Sequence, residues 1–195
     1  MNRQISFGQY RAIDLSILSV VLLVCQFLTH LAVSFWFPEQ LYVVSPVAGM
    51  TALVMMRWSA YAAIPAALGG VVFTALSGGG VQHFLIYAVG NLASLLALVM
   101  FRLYGKERIR RDGFLAVVFA IAVQLLMQLG RAALGAAFGY SAAECLGFIT
   151  TDLLSILFTV FIIWTARRIE GLFEDQKNYL LRIQREQQVE RGEQF

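Results

Sequence analysis

Apolar residues run along this chain in long unbroken blocks, with few of the polar interruptions that mark a half-exposed helix or strand. The blocks cover roughly 15–37, 42–56, 59–77, 83–103, 114–134 and 146–166. A helix needs about 20 mainly apolar residues to cross a bilayer, so the pattern predicts six transmembrane helices. The second block is short and holds Pro46 and Gly49, which predicts a tilted, broken or only partly spanning helix. The first block is longer than the roughly 7–15-residue core of a secretory leader, and no small-residue cleavage site follows it, so it reads as a retained helix. Between the blocks, "SGGGVQH" reads as a flexible turn and "GKERIRRDG" as an aqueous loop.

Charge adds an orientation. Fourteen of the fifteen Lys and Arg residues fall before the first block, between the second and third, at the end of the fourth or between it and the fifth, or after the sixth. All these positions lie on one side of a six-span topology, and basic loops are retained in the cytoplasm. The expectation is an all-α polytopic protein of the plasma membrane with both termini cytoplasmic. Residues 1–167 form its six-helix membrane domain and 168–195 a charged cytoplasmic helical tail. Composition agrees: 59% of the 195 residues are hydrophobic and 14% are charged, against about 25% charged in a soluble domain. Of the 27 charged residues, 12 lie in the last 29 positions. There the tail reads as a helix continuing the last span, with Ile169, Leu172, Phe173, Gln176, Leu180 and Ile183 in a loose stripe.

The fifteenth basic residue, Arg131, lies inside the fifth block. In "QLLMQLGRAALG" it shares one helix face with Gln124 and Gln128. A charge at the centre of a spanning helix costs about 2.5–3.5 kcal/mol on insertion scales, so such residues are functional candidates. With a rise of about 1.5 Å per residue, Arg131, Asn91, Glu144, Asp152, Tyr87 and Tyr140 all fall in the outer half of the bundle. The inner halves are almost wholly apolar. That layout predicts a polar cup at the outer face and argues against a proton or ion path through the full depth. Arg131 could pair with Asp152 or Glu144, hold the carboxylate or phosphate of a ligand, or snorkel to headgroups.

Other signals are weak. Ala62, Ala66 and Gly70, Gly90 and Ser94, and Gly135 and Gly139 recur at four-residue spacing, which permits close helix packing and names no function. His30, His83, Cys25 and Cys145 show no metal-ligand spacing. No HExxH or Gly-x-Ser-x-Gly occurs, and no Lys follows the Gly-rich turn as a phosphate-binding loop requires. The chain is therefore not read as an enzyme, and no cofactor, metal or nucleic-acid partner is expected.

In layout, the six short spans and polar outer cup resemble the substrate-binding S component of energy-coupling factor transporters. The stretch "AAIPAALGGVVFTALSGGGVQHFLIYAVGNLASLLALVMFR" resembles the family's third and fourth helices, and Asp152 in "TTDLLSILF" resembles an acidic residue of its last helix. The resemblance covers roughly residues 10–167. It implies capture of a vitamin-like micronutrient at the outer face, driven by a membrane coupling subunit and two cytoplasmic ATPases. The residues implied to bind substrate are Arg131, Gln128, Gln124, Asn91, Asp152 and Glu144, with Tyr87 and Tyr140 stacking on a ring. The family's Ala-x-x-x-Ala coupling face is represented in "AIDLSILS" by Ala12 and Ser16, with serine replacing alanine and Asp14 between them. "VSPVAGMTALVMMRWSAYAAIPAALGG" also looks somewhat like bacterial membrane sensory domains, in which a helix leaving the last span drives an output domain. Here the sequence given reaches Phe195 without such a domain, which tilts the expectation toward uptake or a separate partner.

Overall fold

The computed structural model describes residues 6–36 and 43–192, and every element among them is helical. Five stretches are long and apolar enough to cross a membrane: Phe7–Trp36, Val47–Leu76, Val81–Leu103, Gly113–Ala137 and Ala142–Arg168. The molecule is thus built as an all-α membrane protein. Its outside agrees. Along α1 (Phe7–Trp36), Ile13, Ile17, Val20, Val24, Phe27, Leu28, Leu31 and Phe35 are each at least half exposed. Soluble proteins rarely leave so continuous an apolar surface in water.

The second of these stretches is not one straight rod. It comprises α2 (Val47–Trp58), a 3₁₀ turn at Ser59–Ala62 and α3 (Ala63–Leu76). Ser59 adopts φ 53°, the one left-handed non-glycine residue among those described, and there the chain reverses. A methyl group placed on Gly69 would come within 2.6 Å of Val47, at the far end of α2. In a continuous helix those residues would lie about 33 Å apart. The two apolar blocks predicted at 42–56 and 59–77 are therefore two antiparallel arms. All twelve residues of α2 are buried, so this arm, only about 18 Å long, is shielded by protein along its whole length.

The next stretch runs as α4 (Val81–Gly90), a 3₁₀ segment Asn91–Leu98 and α5 (Val99–Leu103). Eight residues of 3₁₀ helix is long for a conformation usually confined to three or four. The short α6 (Lys106–Arg111) then leads into α7 (Gly113–Ala137), which Asp112 caps by accepting the amides of Phe114 and Leu115. The last stretch is broken into α8 (Ala142–Thr150) and α9 (Leu153–Arg168), with Thr151 and Asp152 at the break.

Small residues set the spacing between these helices. A methyl on Gly130 would fall 2.2 Å from the Gly90 carbonyl, and one on Gly70 would fall 2.5 Å from the Tyr87 backbone. Of the small-residue pairs read from sequence, Ala62, Ala66, Gly70, Gly90 and Ser94 are buried or in such contacts. Gly139 instead takes φ 86° in the turn after α7.

The tail departs from the expected continuation of the last span. α9 ends at Arg168, the chain turns through Gly171 (φ 71°), and α10 (Gln176–Gly192) begins afterwards. Residues of that turn fold back onto the bundle. Phe173 and Gln176 are buried, whereas Ile169 is half exposed. The stripe at 169–183 is accordingly split between a docked turn and a separate helix.

Candidate functional site

Two ends of the bundle differ in chemistry. At the basic end, Arg57 donates two hydrogen bonds to Asp14 (Nε–Oδ2 2.9 Å, Nη2–Oδ1 2.6 Å). Its remaining nitrogen, Nη1, donates to the carbonyls of Gly171 and Leu172 at 2.9 and 3.0 Å. Trp58 Nε1 also donates to Asp14. Gln176 accepts from the Tyr10 hydroxyl and donates to the Gly171 carbonyl. The start of α1, the end of α2 and the C-terminal turn thus meet at one end, which also carries the loop with α6 through Lys106–Asp175.

Toward the other end lies the intramembrane charge. Arg131, on α7, is 4% exposed and pairs with Asp152 (Nη1–Oδ2 2.9 Å). Its Nε donates to Asn91 Oδ1 at 2.7 Å, and its guanidinium lies 4.7 Å from the Tyr87 ring centroid. Asn91 turns its amide to the Ala66 carbonyl, which fixes which of its atoms faces the arginine. Asp152 also accepts from Gln124 Nε2 at 2.9 Å and from the Ser155 hydroxyl. Gln124 in turn accepts from Thr159. The break between α8 and α9 exposes backbone groups that a continuous helix would use. The carbonyls of Asp152 and Thr151 accept from Gln128 Nε2 and from the Val43 amide. Irregular backbone at this depth is tolerated only where protein supplies such partners.

The structure brings Arg131, Gln124, Gln128, Asn91, Asp152 and Tyr87 into one network. Of the three roles left open for Arg131, pairing with Asp152 is the one seen. Glu144 stands apart: it is exposed and forms a capping box with Ser141 at the start of α8. Its carboxylate is occupied by the helix end, as a Ser-x-x-Glu spacing dictates. Tyr140 also lies outside the network, edge-on to His83 and near Phe148, which contacts Tyr87. Ala12 and Ser16 are exposed on α1.

Several members were not foreseen. Ser155 accepts the Ser45 amide, and Ser45 donates to Gln26 Oε1 at 3.0 Å. Gln26, Ser45, Ser155 and Thr159 are all at most 5% exposed. Ser155 and Thr159 lie three and seven positions after Asp152, on its helix face. That spacing is present in the sequence, but small hydroxyl residues are too common in membrane helices to mark a site by themselves.

The network is closed in this conformation but incompletely paired. Ser45, Val47, Gly70, Tyr87, Asn91 and Arg131 line a gap with no room for a water molecule. Among the described residues, Arg131 Nη2 makes no hydrogen bond, and the buried oxygens Gln128 Oε1 and Thr51 Oγ1 have no partner. Val43 and Phe73 separate the gap from a second cavity of about 70 Å³, whose polar lining is Gln26, His30, Ser34 and Ser77. No protein-family model, curated protein or solved structure matches the chain.

Proposed function

We propose that this chain is the small-molecule-binding subunit of a membrane uptake system of the energy-coupling factor type. In this reading it crosses the plasma membrane six times, with α2 and α3 as separate crossings and both termini cytoplasmic. A vitamin-like micronutrient enters from the outer face, and a coupling subunit with two ATPases supplies the energy. The exposed Ala12 and Ser16 are the proposed contact with that coupling subunit.

One observation carries the proposal: a buried polar network at intramembrane depth that keeps unused hydrogen-bonding capacity. Buried polar groups are nearly always paired, and the exceptions call for an explanation. Arg131 and the Tyr87 face line one gap, with Arg131 Nη2 a free donor, and Gln128 Oε1 is a buried unpartnered acceptor elsewhere in the same network. Displacement of Val43 and Phe73 joins that gap to the neighbouring cavity, giving a pocket with convergent polar groups in apolar walls. Asp152 then serves to hold Arg131 in place, and Glu144 and Tyr140 are left out of the binding site.

Mass spectrometry of small molecules retained through purification tests this reading. The parent protein should carry a ligand that Gln128→Leu and Arg131→Gln both lose. Gln128→Leu matters most, because it removes the spare acceptor and leaves the ion pair intact. Undiminished ligand in both variants would remove the network from the site.

A signalling role is favoured by a different observation. Arg57 ties the elbow of α2 to the turn that precedes α10, so motion in the bundle reaches the tail. Co-purification separates the two: a coupling subunit and ATPases support uptake, a kinase or regulator supports signalling.

A further inference from the structure

The folded-back tail creates a cavity of its own at the basic end. It measures about 130 Å³ and is lined by Arg110, Arg167, Arg182, Glu170, Glu174 and Ile169, with Gly171 and Phe173 beneath. One water needs only roughly 10–15 Å³ of such space. Three guanidiniums and two carboxylates line it, and Glu170, 3.6 Å from Arg182, has 82% of its side chain in solvent.

The ion pairs around this cavity are unusually slack. Glu107 holds Arg110 and Arg111 at 2.6 Å, and Lys106 holds Asp175 at 2.5 Å. By contrast, Glu174 Oε2 sits 3.6 Å from Arg110 Nη1 and 3.4 Å from Arg182 Nη2. Charge-assisted hydrogen bonds normally close to about 2.7–2.9 Å. One carboxylate oxygen therefore stands between two guanidiniums without closing on either. Arg167 lends Nε and Nη2 to the carbonyls of Arg110 and Arg111, which holds its fork rigid at the wall.

The cavity also borders the apolar surface. Ile169, half exposed, is a wall of the cavity and directly follows α9, on which Leu157, Phe161 and Trp164 are exposed. Arg168 lies over the Trp164 ring at 5.5 Å, the pairing of aromatic and cation found where a helix leaves hydrocarbon.

We propose that this cavity binds a phosphate-bearing anion, held by Arg110 and Arg182 with Arg167 behind them. Glu174 is the internal competitor that the anion displaces. A phospholipid headgroup and a soluble phosphate share this chemistry, and basic pockets at helix ends accept either. The exposed Ile169, directly after α9, gives a lipid a path for its chains. The site depends on neither Arg131 nor the uptake reading, since its walls are α6, the end of α9, the tail turn and α10.

Native mass spectrometry of the full chain in neutral detergent tests it, with phosphatidylglycerol and phosphatidylcholine offered in equal amounts. Phosphatidylglycerol should be retained preferentially, and R110Q/R182Q should weaken that retention roughly tenfold or more. Glu174→Gln should strengthen it, because the competitor loses its charge. A purely structural Glu174 would give no such gain. Displacement by inorganic phosphate assigns the site to phosphate groups generally, and inertness toward phosphate assigns it to the lipid headgroup. Equal retention of both lipids, or phosphatidylglycerol binding unchanged in R110Q/R182Q, overturns the proposal. If R110Q/R182Q fails to purify, absence of a gain in Glu174→Gln overturns it alone.

Discussion

Arg57 and Arg131 are both buried arginines paired with an aspartate, yet they are finished differently. Arg57 uses every nitrogen of its fork: two on Asp14 and the third on two backbone carbonyls. Arg131 pairs through Nη1, orients through Nε on Asn91, and leaves Nη2 without a hydrogen bond at the edge of a small gap, in a network that also holds an unpartnered glutamine oxygen. A complete set of partners makes a clasp, and an incomplete set leaves the free capacity on which the proposed binding site rests. Burial and charge alone do not separate the two, since both arginines are under 10% exposed. The count of satisfied atoms does.

The largest expected effect comes from removing the acid of each pair. Asp152→Ala leaves Arg131 charged and enclosed, a situation that costs about 3–5 kcal/mol in buried pairs. Asp14→Ala should cost clearly less, because Arg57 keeps two carbonyl acceptors and the Asp14 side chain is already 16% exposed. Reversible unfolding of both variants in mixed detergent measures the difference. Equal losses would erase the distinction drawn between the two arginines.

Next in size is Arg57→Met, which keeps the apolar stem and removes the fork. Hydrogen bonds to charged groups are worth about 1.5–3 kcal/mol each, so a global loss of about 2 kcal/mol is expected after partial rescue by water. The effect should be local as well. Amide exchange should accelerate across the tail turn 169–176 and stay unchanged around Asn91 and Asp152. Acceleration at both ends would mean that the clasp and the network form a single unit.

What was readable beforehand follows from how each feature is encoded. Long apolar blocks reveal helices because hydrocarbon demands them, and a lone Arg131 among apolar residues calls for an acid, a ligand or headgroups without saying which. The reversal at Ser59 was half visible: the blocks were divided there, but no glycine or proline marks the elbow and a serine takes the left-handed conformation instead. The docked tail was hidden. Its turn is held by Arg57, some 114 positions away from Gly171, and no local pattern records a contact that distant. Glu144 misled for the opposite reason: its own Ser141, three residues back, satisfies it without any tertiary partner.

The helix contact that brings Asn91 to Arg131 gives a smaller test. Gly130→Ala places a methyl 2.2 Å from the Gly90 carbonyl and 2.5 Å from Ala93, and overpacking of this kind costs about 1–3 kcal/mol. Gly147→Ala, where a methyl meets nothing within 4 Å, should instead stabilise α8 by up to about 1 kcal/mol. Thermal unfolding of the pair should therefore move in opposite directions. If Gly130 also gains, the close approach of α4 and α7 is not what sets the arginine's position.

The smallest effect belongs to the loop of α6, where charge pairs sit at the surface. Hydrogen bonding to Arg110, then to Arg111, holds the Glu107 carboxyl at about 2, down from its ordinary 4.5. A carboxyl lowered in this way stabilises the fold above about pH 4.5, and that contribution fades as pH falls through about 2. Its side chain is 53% exposed, so solvent screening limits the gain to about 0.2–1 kcal/mol. Glu107→Gln should accordingly lower stability by roughly half a kilocalorie per mole at neutral pH, a difference that disappears once the pH is below about 2. Added salt should shrink the neutral-pH difference, because exposed pairs are screened. The Asp152→Ala loss should barely respond to the same salt, since the two side chains of that pair are only 5% and 3% exposed. A Glu107 effect as large and as salt-resistant as that of Asp152 would show that exposure does not govern how much these ion pairs contribute in this protein.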